Sequence, residues 1–234
     1  MTALTFEVSE LHSSPMANDL TSILTSEDPF ENFLEWSTAA EQAKLPEATA
    51  MTLATASREG VPSARIVLYK GLTQGSSGQK GFRLFTNYDS HKAQDLLSNP
   101  RAALVFFWAQ MPLAGLPPVN RQIRVEGTIE KLSDTEADEY FQSRPHGSRI
   151  GAWASPQSQK IASREELLAR VASAEQRFKD PSHFVPRPPN WGGFLLVPSR
   201  FEFWQAGEFR LHDRFIFERD QALKNQWQIS RLAP

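Results

Sequence analysis

The sequence predicts a mainly β fold, a closed or nearly closed antiparallel barrel with peripheral helices. Three observations carry that reading. About seven stretches have β character, either alternating in polarity or running continuously apolar. Helical signals fall between them, without the regular strand–helix alternation of a doubly wound sheet. The chain has 234 residues and no internal repeat, enough for one domain with a substantial core.

Residues 1–27 are polar, rich in Ser and Thr, and aperiodic, the composition of a flexible acidic N-terminal arm ahead of a single domain at 28–234. Glu27-Asp28-Pro29 opens an amphipathic helix to residue 44, with Phe30, Phe33, Leu34 and Trp36 as its apolar side. Residues 48–55 and 63–70 read as strands joined by the turn Arg58-Glu59-Gly60-Val61-Pro62. The Gly- and Ser-rich stretch 71–80 reads as a loop before a third strand, 81–86. Ser90 is placed to cap a helix through Leu97, which Asn99-Pro100 stops. Residues 101–108 are continuously apolar, as a strand buried on both faces would be. Three prolines and a glycine make 110–119 a loop before an alternating strand at 121–132. Ser133-Asp134-Thr135-Glu136 and Ser163-Arg164-Glu165-Glu166 are capping boxes. The first opens a helix ending near Pro145, the second a helix to about Lys179. A proline-rich connection, 181–189, precedes strands at 193–204, 211–218 and 226–232.

Composition excludes several chemistries. There is no cysteine, which rules out disulfides, iron–sulfur clusters, thiolate zinc and a cysteine nucleophile. Five scattered histidines lack metal-ligand spacing, so no metal is expected. Eight of the 27 acidic residues precede Lys44, the first basic one. From Lys44 onward, 19 acidic residues face 25 basic ones, a charge of +6. That is too dispersed to indicate nucleic acid, but it suits small phosphorylated ligands. The longest apolar run, 102–109, is too short to span a bilayer, and the leader lacks the basic residues of a secretory or mitochondrial signal. A soluble, cytoplasmic protein is expected.

The segment 203–215, FWQAGEFRLHDRF, draws the chemical argument together. If it is extended, Arg210, His212 and Arg214 project from one face, leaving Leu211 and Asp213 on the other. Two guanidiniums flanking an imidazole repel one another unless an anion lies on them, and their forked donors match phosphate and carboxylate oxygens. A solvated strand face with Asp213 pairing one arginine accounts equally well for RLHDR in isolation.

More segments agree. FWQ with RLHDR, SRP at 143–145, IGAWAS at 150–155, Gln157-Ser158, and RLAP at 231–234 resemble the pyridoxamine 5′-phosphate oxidase family. So do RIVLYK at 65–70, FTN at 85–87 and NRQIRVEG at 120–127, and the likeness runs in order from about residue 30 to the end. The resemblance implies an FMN-binding split β-barrel, a homodimer with FMN in clefts between subunits. It implies oxidation of pyridoxine 5′-phosphate or pyridoxamine 5′-phosphate to pyridoxal 5′-phosphate, with O2 as electron acceptor and H2O2 as product. By resemblance Arg65, Ile66, Val67, Leu68, Phe85, Thr86, His91, Lys92, Gln122, Gln157, Ser158, Trp204 and Arg214 contact FMN. Lys70, Tyr140, Arg144 and Ser148 grip the substrate phosphate, with Arg210, Leu211 and His212 also at the substrate. Arg210 and His212 are the expected catalytic pair.

Elementary chemistry supports parts of this set. Lys92 and free N–H groups at a helix start suit a phosphate. Gln122 can donate and accept at a flavin's polar edge. Trp204 has opposite strand parity to Phe201 and Phe203, which frees it to face a ligand. Tyr140 and Arg144, four apart on a helix, share a face, and Ser148 precedes a short helical segment. Two positions depart from the family pattern: His91 for arginine, and Ala206 for glycine, where a positive φ would be strained. Three other readings compete: a phenazine-pathway flavin oxidase on the same barrel, a non-catalytic carrier of FMN or pyridoxal phosphate, and a nucleic-acid-binding module, the last disfavoured because the aromatics read as strand core.

Overall fold

Nine strands and five α-helices make up the described residues of the computed structural model, which are 23–113, 115–179, 184–220 and 226–234. The helices are α1 (Pro29–Gln42), α2 (His91–Ser98), α3 (Asp134–Ser143), α4 (His146–Ala154) and α5 (Arg164–Arg177). The strands are β1 (Ala50–Ala56), β2 (Pro62–Leu68), β3 (Leu72–Gln74), β4 (Lys80–Asn87), β5 (Arg101–Leu113), β6 (Leu116–Lys131), β7 (Trp191–Gln205), β8 (Asp213–Asp220) and β9 (Gln226–Leu232). Hydrogen bonding orders them β2-β1-β5-β6-β7-β4-β3, with β8 against β7 and β9 against β8. The expected mainly β, antiparallel architecture is what forms.

The chain divides into two compact units. One holds the described residues up to Ala48 together with Phe107–Ile123 and Arg200–Pro234. Here α1 starts where Asp28 accepts the Phe30 N–H at 2.9 Å, a cap of about 1 kcal/mol. Its face buries Phe33 and Trp36 completely, and Trp36 meets Phe203 edge to face at 5.3 Å. Each such side chain contributes about 2–3 kcal/mol of burial. Residues 1–22 of the expected arm lie outside the described residues; Ile23 and Leu24 are buried. The second unit, Thr49–Phe106 and Arg124–Ser199, carries β1–β4, α2–α5 and the first part of β7. A helical subcore there gathers Phe141, Ile150, Ala154, Ala174 and Val185 around Trp191.

Several local expectations need correction. The stretch 71–80 holds β3, whose Leu72, Thr73 and Gln74 pair with Phe82, Gly81 and Lys80. Residues 110–119 belong mostly to β5 and β6 rather than to a loop. Prolines 112, 117 and 118 sit exposed, where a missing donor costs little. Gln110 takes φ +53°, and its N–H finds the Asn120 Oδ1 at 2.9 Å. β5 is not buried on both faces: Leu104, Phe106 and Trp108 are buried, while Phe107 is 54% exposed. The Ser133 capping box forms in full. At Ser163 only half of it does, because Glu166 accepts from the Ala162 N–H instead.

Candidate functional site

A cavity of about 490 Å³ lies within the second unit, a size suited to a small organic ligand. β2, β4, α3, α4 and the start of β7 contribute its lining. Of the expected residues, Ile66, Val67, Leu68, Lys70, Phe85, Thr86, Lys92, Tyr140, Arg144, Ser148 and Gln157 line it together. The register of β4 against β7, with Asn87 opposite Trp191, also brings in Asn87 and Trp191. Neither was singled out from the sequence, although FTN contains Asn87. A strand register linking residues 87 and 191 leaves no local signal.

Rings and cations form a tier along one wall. Phe85 stacks on Tyr140 at 4.0 Å and 18°, and on Trp191 at 5.6 Å and 9°. Lys70 Nζ lies 6.0 Å from the Tyr140 ring, and the Arg144 guanidinium 4.8 Å from Trp191. Arg144, four residues after Tyr140, lines the cavity with it, and both meet the Trp191 ring, although the helix itself stops at Ser143. The Arg144 ψ of 148° places it just past the end of α3, turned onto Trp191 and Phe141. Burial pushes its guanidinium below the ordinary value, and its buried Nη1 has no hydrogen-bond partner. Ser148 does not precede a helix; α4 begins two residues earlier, after Pro145, and Ser148 lies in its first turn.

Lys92 gathers hydroxyl and amide oxygens around it, and with Thr86 and Gln157 it lines the same cavity. Lys92 Nζ donates to Thr86 Oγ1 at 3.0 Å, Ser90 Oγ at 3.2 Å and Gln157 Oε1 at 3.0 Å. Burial, and then the nearby Arg65 charge, push Lys92 below the usual lysine value. Ser90 occupies the cap position of α2, but its side chain makes no capping bond. The fully buried hydroxyl faces Thr86 and Lys92 instead, which leaves the cap function to an outside acceptor. Arg65 does not line the cavity. Its Nη atoms donate to Leu53 O, Thr55 Oγ1, Ser63 O and Ser63 Oγ. His91 is also outside, with Nε2 3.6 Å from Asp95 Oδ1, and Ser158 adopts φ +67° just beyond Gln157.

The other unit carries Gln122, Trp204, Arg210, Leu211, His212 and Arg214. The extended RLHDR face does not form. Arg210 closes a short 3₁₀ turn, Glu208–Arg210, and β8 starts only at Asp213. Phe209 and Arg210 take φ of +51° and +67°, so the left-handed strain expected at Ala206 falls three residues later. Ala206 instead donates its N–H to Asn120 O at 2.9 Å. Gly207 is required, because a Cβ there would collide with the Leu211 carbonyl. Its N–H donates to His212 Nδ1 at 3.2 Å, so the neutral imidazole carries its proton on Nε2. That imidazole packs 4.7 Å from the half-buried Trp204 ring. Phe201 and Phe203, of opposite parity to Trp204, are fully buried. Arg214 pairs with buried Glu202 at 2.8 Å and with the Ala233 carbonyl at 3.0 Å. Asp213 pairs with Arg231 at 2.7 Å. Behind Gln122, buried Arg121 lies 4.2 Å over Trp36 and donates to Gln205 at 2.8 Å. Burial pushes its pKa to about 10.

The family model described as "Pyridoxamine 5'-phosphate oxidase" matches residues 37–178, and that of the "Pyridoxine 5'-phosphate oxidase C-terminal dimerisation region" matches 191–234. The pyridoxine/pyridoxamine 5′-phosphate oxidase of Bordetella pertussis is 50% identical over 97% of this chain and 99% of its own. That of Cupriavidus metallidurans is 47% identical with the same coverage. Among solved structures, PhzG from Burkholderia lata, crystallised with tetrahydrophenazine-1-carboxylic acid, superposes with a TM-score of 0.77 at 28% identity. It covers 89% of this chain and 94% of that one. A pyridoxamine 5′-phosphate oxidase-related, FMN-binding protein from Nostoc punctiforme shares the fold, with TM-score 0.64, 19% identity, and coverage of 89% and 100%.

Proposed function

The chain belongs to the pyridoxamine 5′-phosphate oxidase family, and from that premise we propose that it oxidises pyridoxine 5′-phosphate or pyridoxamine 5′-phosphate to pyridoxal 5′-phosphate. O2 accepts the electrons, H2O2 is released, and the amine substrate also yields ammonia. One observation carries the reading: a single cavity gathers Lys92, Lys70, Tyr140, Arg144 and Ser148, donors enough for two anionic groups. The residues fit FMN as cofactor. Lys92 and Arg65 repel each other, and α2 starts without a side-chain cap, both of which a phosphate would relieve. The orphaned Arg144 Nη1 asks for a second anion, the substrate phosphate.

Bound FMN supplies the hydride acceptor and passes the electrons to dioxygen. The protein's own part is placement and charge. Lys92, Thr86 and Gln157 hold the cofactor's phosphate end, while Ile66, Val67 and Leu68 present strand backbone and apolar side chains to its flat portion. Lys70, Arg144, Tyr140 and Ser148 hold the vitamer phosphate, which fixes the reacting carbon at near-attack distance. Arg210 stabilises negative charge at the oxygen or amine being oxidised. His212 orients the pyridine through its Nε2–H; with Nδ1 occupied by Gly207, it acts as a donor. Gln122, Trp204, Arg214, His91 and Ser158 complete the cofactor set.

The matched dimerisation region supports a homodimer, with FMN between subunits of a single split-barrel domain. The cytoplasm is the proposed location; among the described residues, no helix is long and apolar enough to cross a membrane. The likeness to PhzG favours one second reading, a phenazine-type oxidase, which would have no use for a phosphate grip. The test is to incubate purified, FMN-loaded protein with pyridoxamine 5′-phosphate in air and follow aldehyde and peroxide. Equimolar formation of both supports the proposal. Absence of both, alongside turnover of a reduced phenazine carboxylate, would replace it with the second reading.

A further inference from the structure

Behind Lys92 lies a buried carboxylate that the chemistry above does not use. Asp95, on α2, is 5% exposed, and its Oδ2 accepts the Thr55 hydroxyl at 2.6 Å. Thr55 Oγ1 in turn accepts from Arg65 Nη1 at 2.8 Å, while Arg65 Nη2 stands 3.9 Å from the same carboxylate oxygen. A hydroxyl has one proton. Once Thr55 gives it to Asp95, the oxygen's lone pairs are left for the guanidinium, so the carboxylate sets the direction of the relay from Arg65 through Thr55. Burial pushes Arg65 below the ordinary arginine value, and the Asp95 charge opposes that loss. Arg65 is thereby held in one orientation at a site where its charge bears on Lys92. A carboxylate serving stability alone would be satisfied by Thr55. This one also governs the orientation of the cation beside the anion-holding lysine.

We propose that Asp95 is a positioning residue for the cofactor phosphate, holding Arg65 through Thr55 so that Arg65 and Lys92 act as two fixed positive charges on one phosphate. The proposal rests on the FMN reading and adds to it a residue that touches neither cofactor nor substrate. Its signature is phosphate-specific. Riboflavin has the flavin ring without the phosphate, so a loosened Arg65 weakens FMN and leaves riboflavin unchanged.

The experiment titrates wild-type apoprotein and the Asp95→Asn, Thr55→Val and Thr55→Ser variants with FMN and with riboflavin, following quenching of flavin fluorescence. Asp95→Asn and Thr55→Val are expected to raise the FMN Kd about tenfold, equivalent to ~1.4 kcal/mol, with riboflavin unmoved. Thr55→Ser, which restores the hydroxyl, is expected to bind FMN as the wild type does. Because Thr55→Val tests the relay independently, a poorly folding Asp95→Asn variant does not shield the proposal. Equal weakening of FMN and riboflavin would overturn it in favour of a structural role, as would FMN affinity unchanged or tightened in both relay variants. Wild-type apoprotein that takes up neither flavin would instead overturn the cofactor reading, and this proposal with it.

Discussion

Replacing Lys92 with methionine keeps most of the stem and removes the ammonium, which separates the cost of a half-buried charge from its use. Without ligand, Nζ is held by three neutral acceptors at 3.0–3.2 Å, and burial and Arg65 press its pKa below the ordinary 10.5. Between the depressed folded value and the ordinary unfolded one, the unfolded chain binds more protons. Apoprotein stability therefore rises with pH through that window, and below it the cost of the charged lysine is present in full. Lys92→Met removes that cost along with three hydrogen bonds, so apoprotein stability should change by no more than ~1 kcal/mol and lose part of its alkaline rise. FMN binding behaves oppositely. A charge-assisted bond to phosphate is worth about 1.5–3 kcal/mol, so the Kd should rise roughly 10- to 150-fold. Denaturant melts of the apoprotein across the alkaline range, paired with FMN titrations at neutral pH, measure both quantities. An FMN Kd within about threefold of wild type would refute the assignment of Lys92 to the phosphate. So would a loss of affinity that merely tracks a collapse in stability.

The remaining predictions concern the cap of α2 and the RLHDR turn. His91→Arg should tighten FMN roughly two- to fivefold at neutral pH, a modest gain because the side chain is 67% exposed and faces Asp95 as well as solvent; an unchanged or weaker Kd counts against it. His212→Asn leaves an acceptor near Nδ1 for the Gly207 N–H, whereas His212→Gln moves its polar end away. Denaturant unfolding should therefore show the Gln variant about 1 kcal/mol less stable than the Asn variant. Arg210→Ala should keep the yellow flavin but lose most of kcat/KM, and wild-type turnover in that variant would remove Arg210 from the mechanism.

Elements with strong local signals were legible in the sequence. Asp28-Pro29 marked the start of α1, and the Ser133 box that of α3, because a cap is a contact between residues two or three apart. Segments whose fate depends on distant pairing were not. β3 forms because β4 offers it a partner, and residues 110–119 extend as strand because Asn120 satisfies the kink at Gln110. Continuous apolarity in 101–108 did not reveal that Phe107 stays exposed, since sequence carries no record of which face has a neighbour. At the site, the family resemblance carried by Ile66, Val67, Leu68 and Lys70, and by Phe85 and Thr86, named residues that line one cavity. The lining also includes Trp191, which only the β4–β7 register supplies. Alternation misread RLHDR because it assumed extended backbone where Gly207 and two left-handed residues make a turn. Trp204, by contrast, does lie on extended backbone inside β7, as alternation assumed.

The most direct test mixes FMN-loaded protein with pyridoxamine 5′-phosphate under strict exclusion of oxygen and follows the visible flavin absorbance. The account predicts bleaching by the phosphorylated amine, recovery of the yellow colour when air is admitted, and no bleaching by unphosphorylated pyridoxamine at the same concentration. A flavin that stays yellow with the phosphorylated amine, or bleaches equally with both, would contradict the claim that this cavity grips a vitamer by its phosphate.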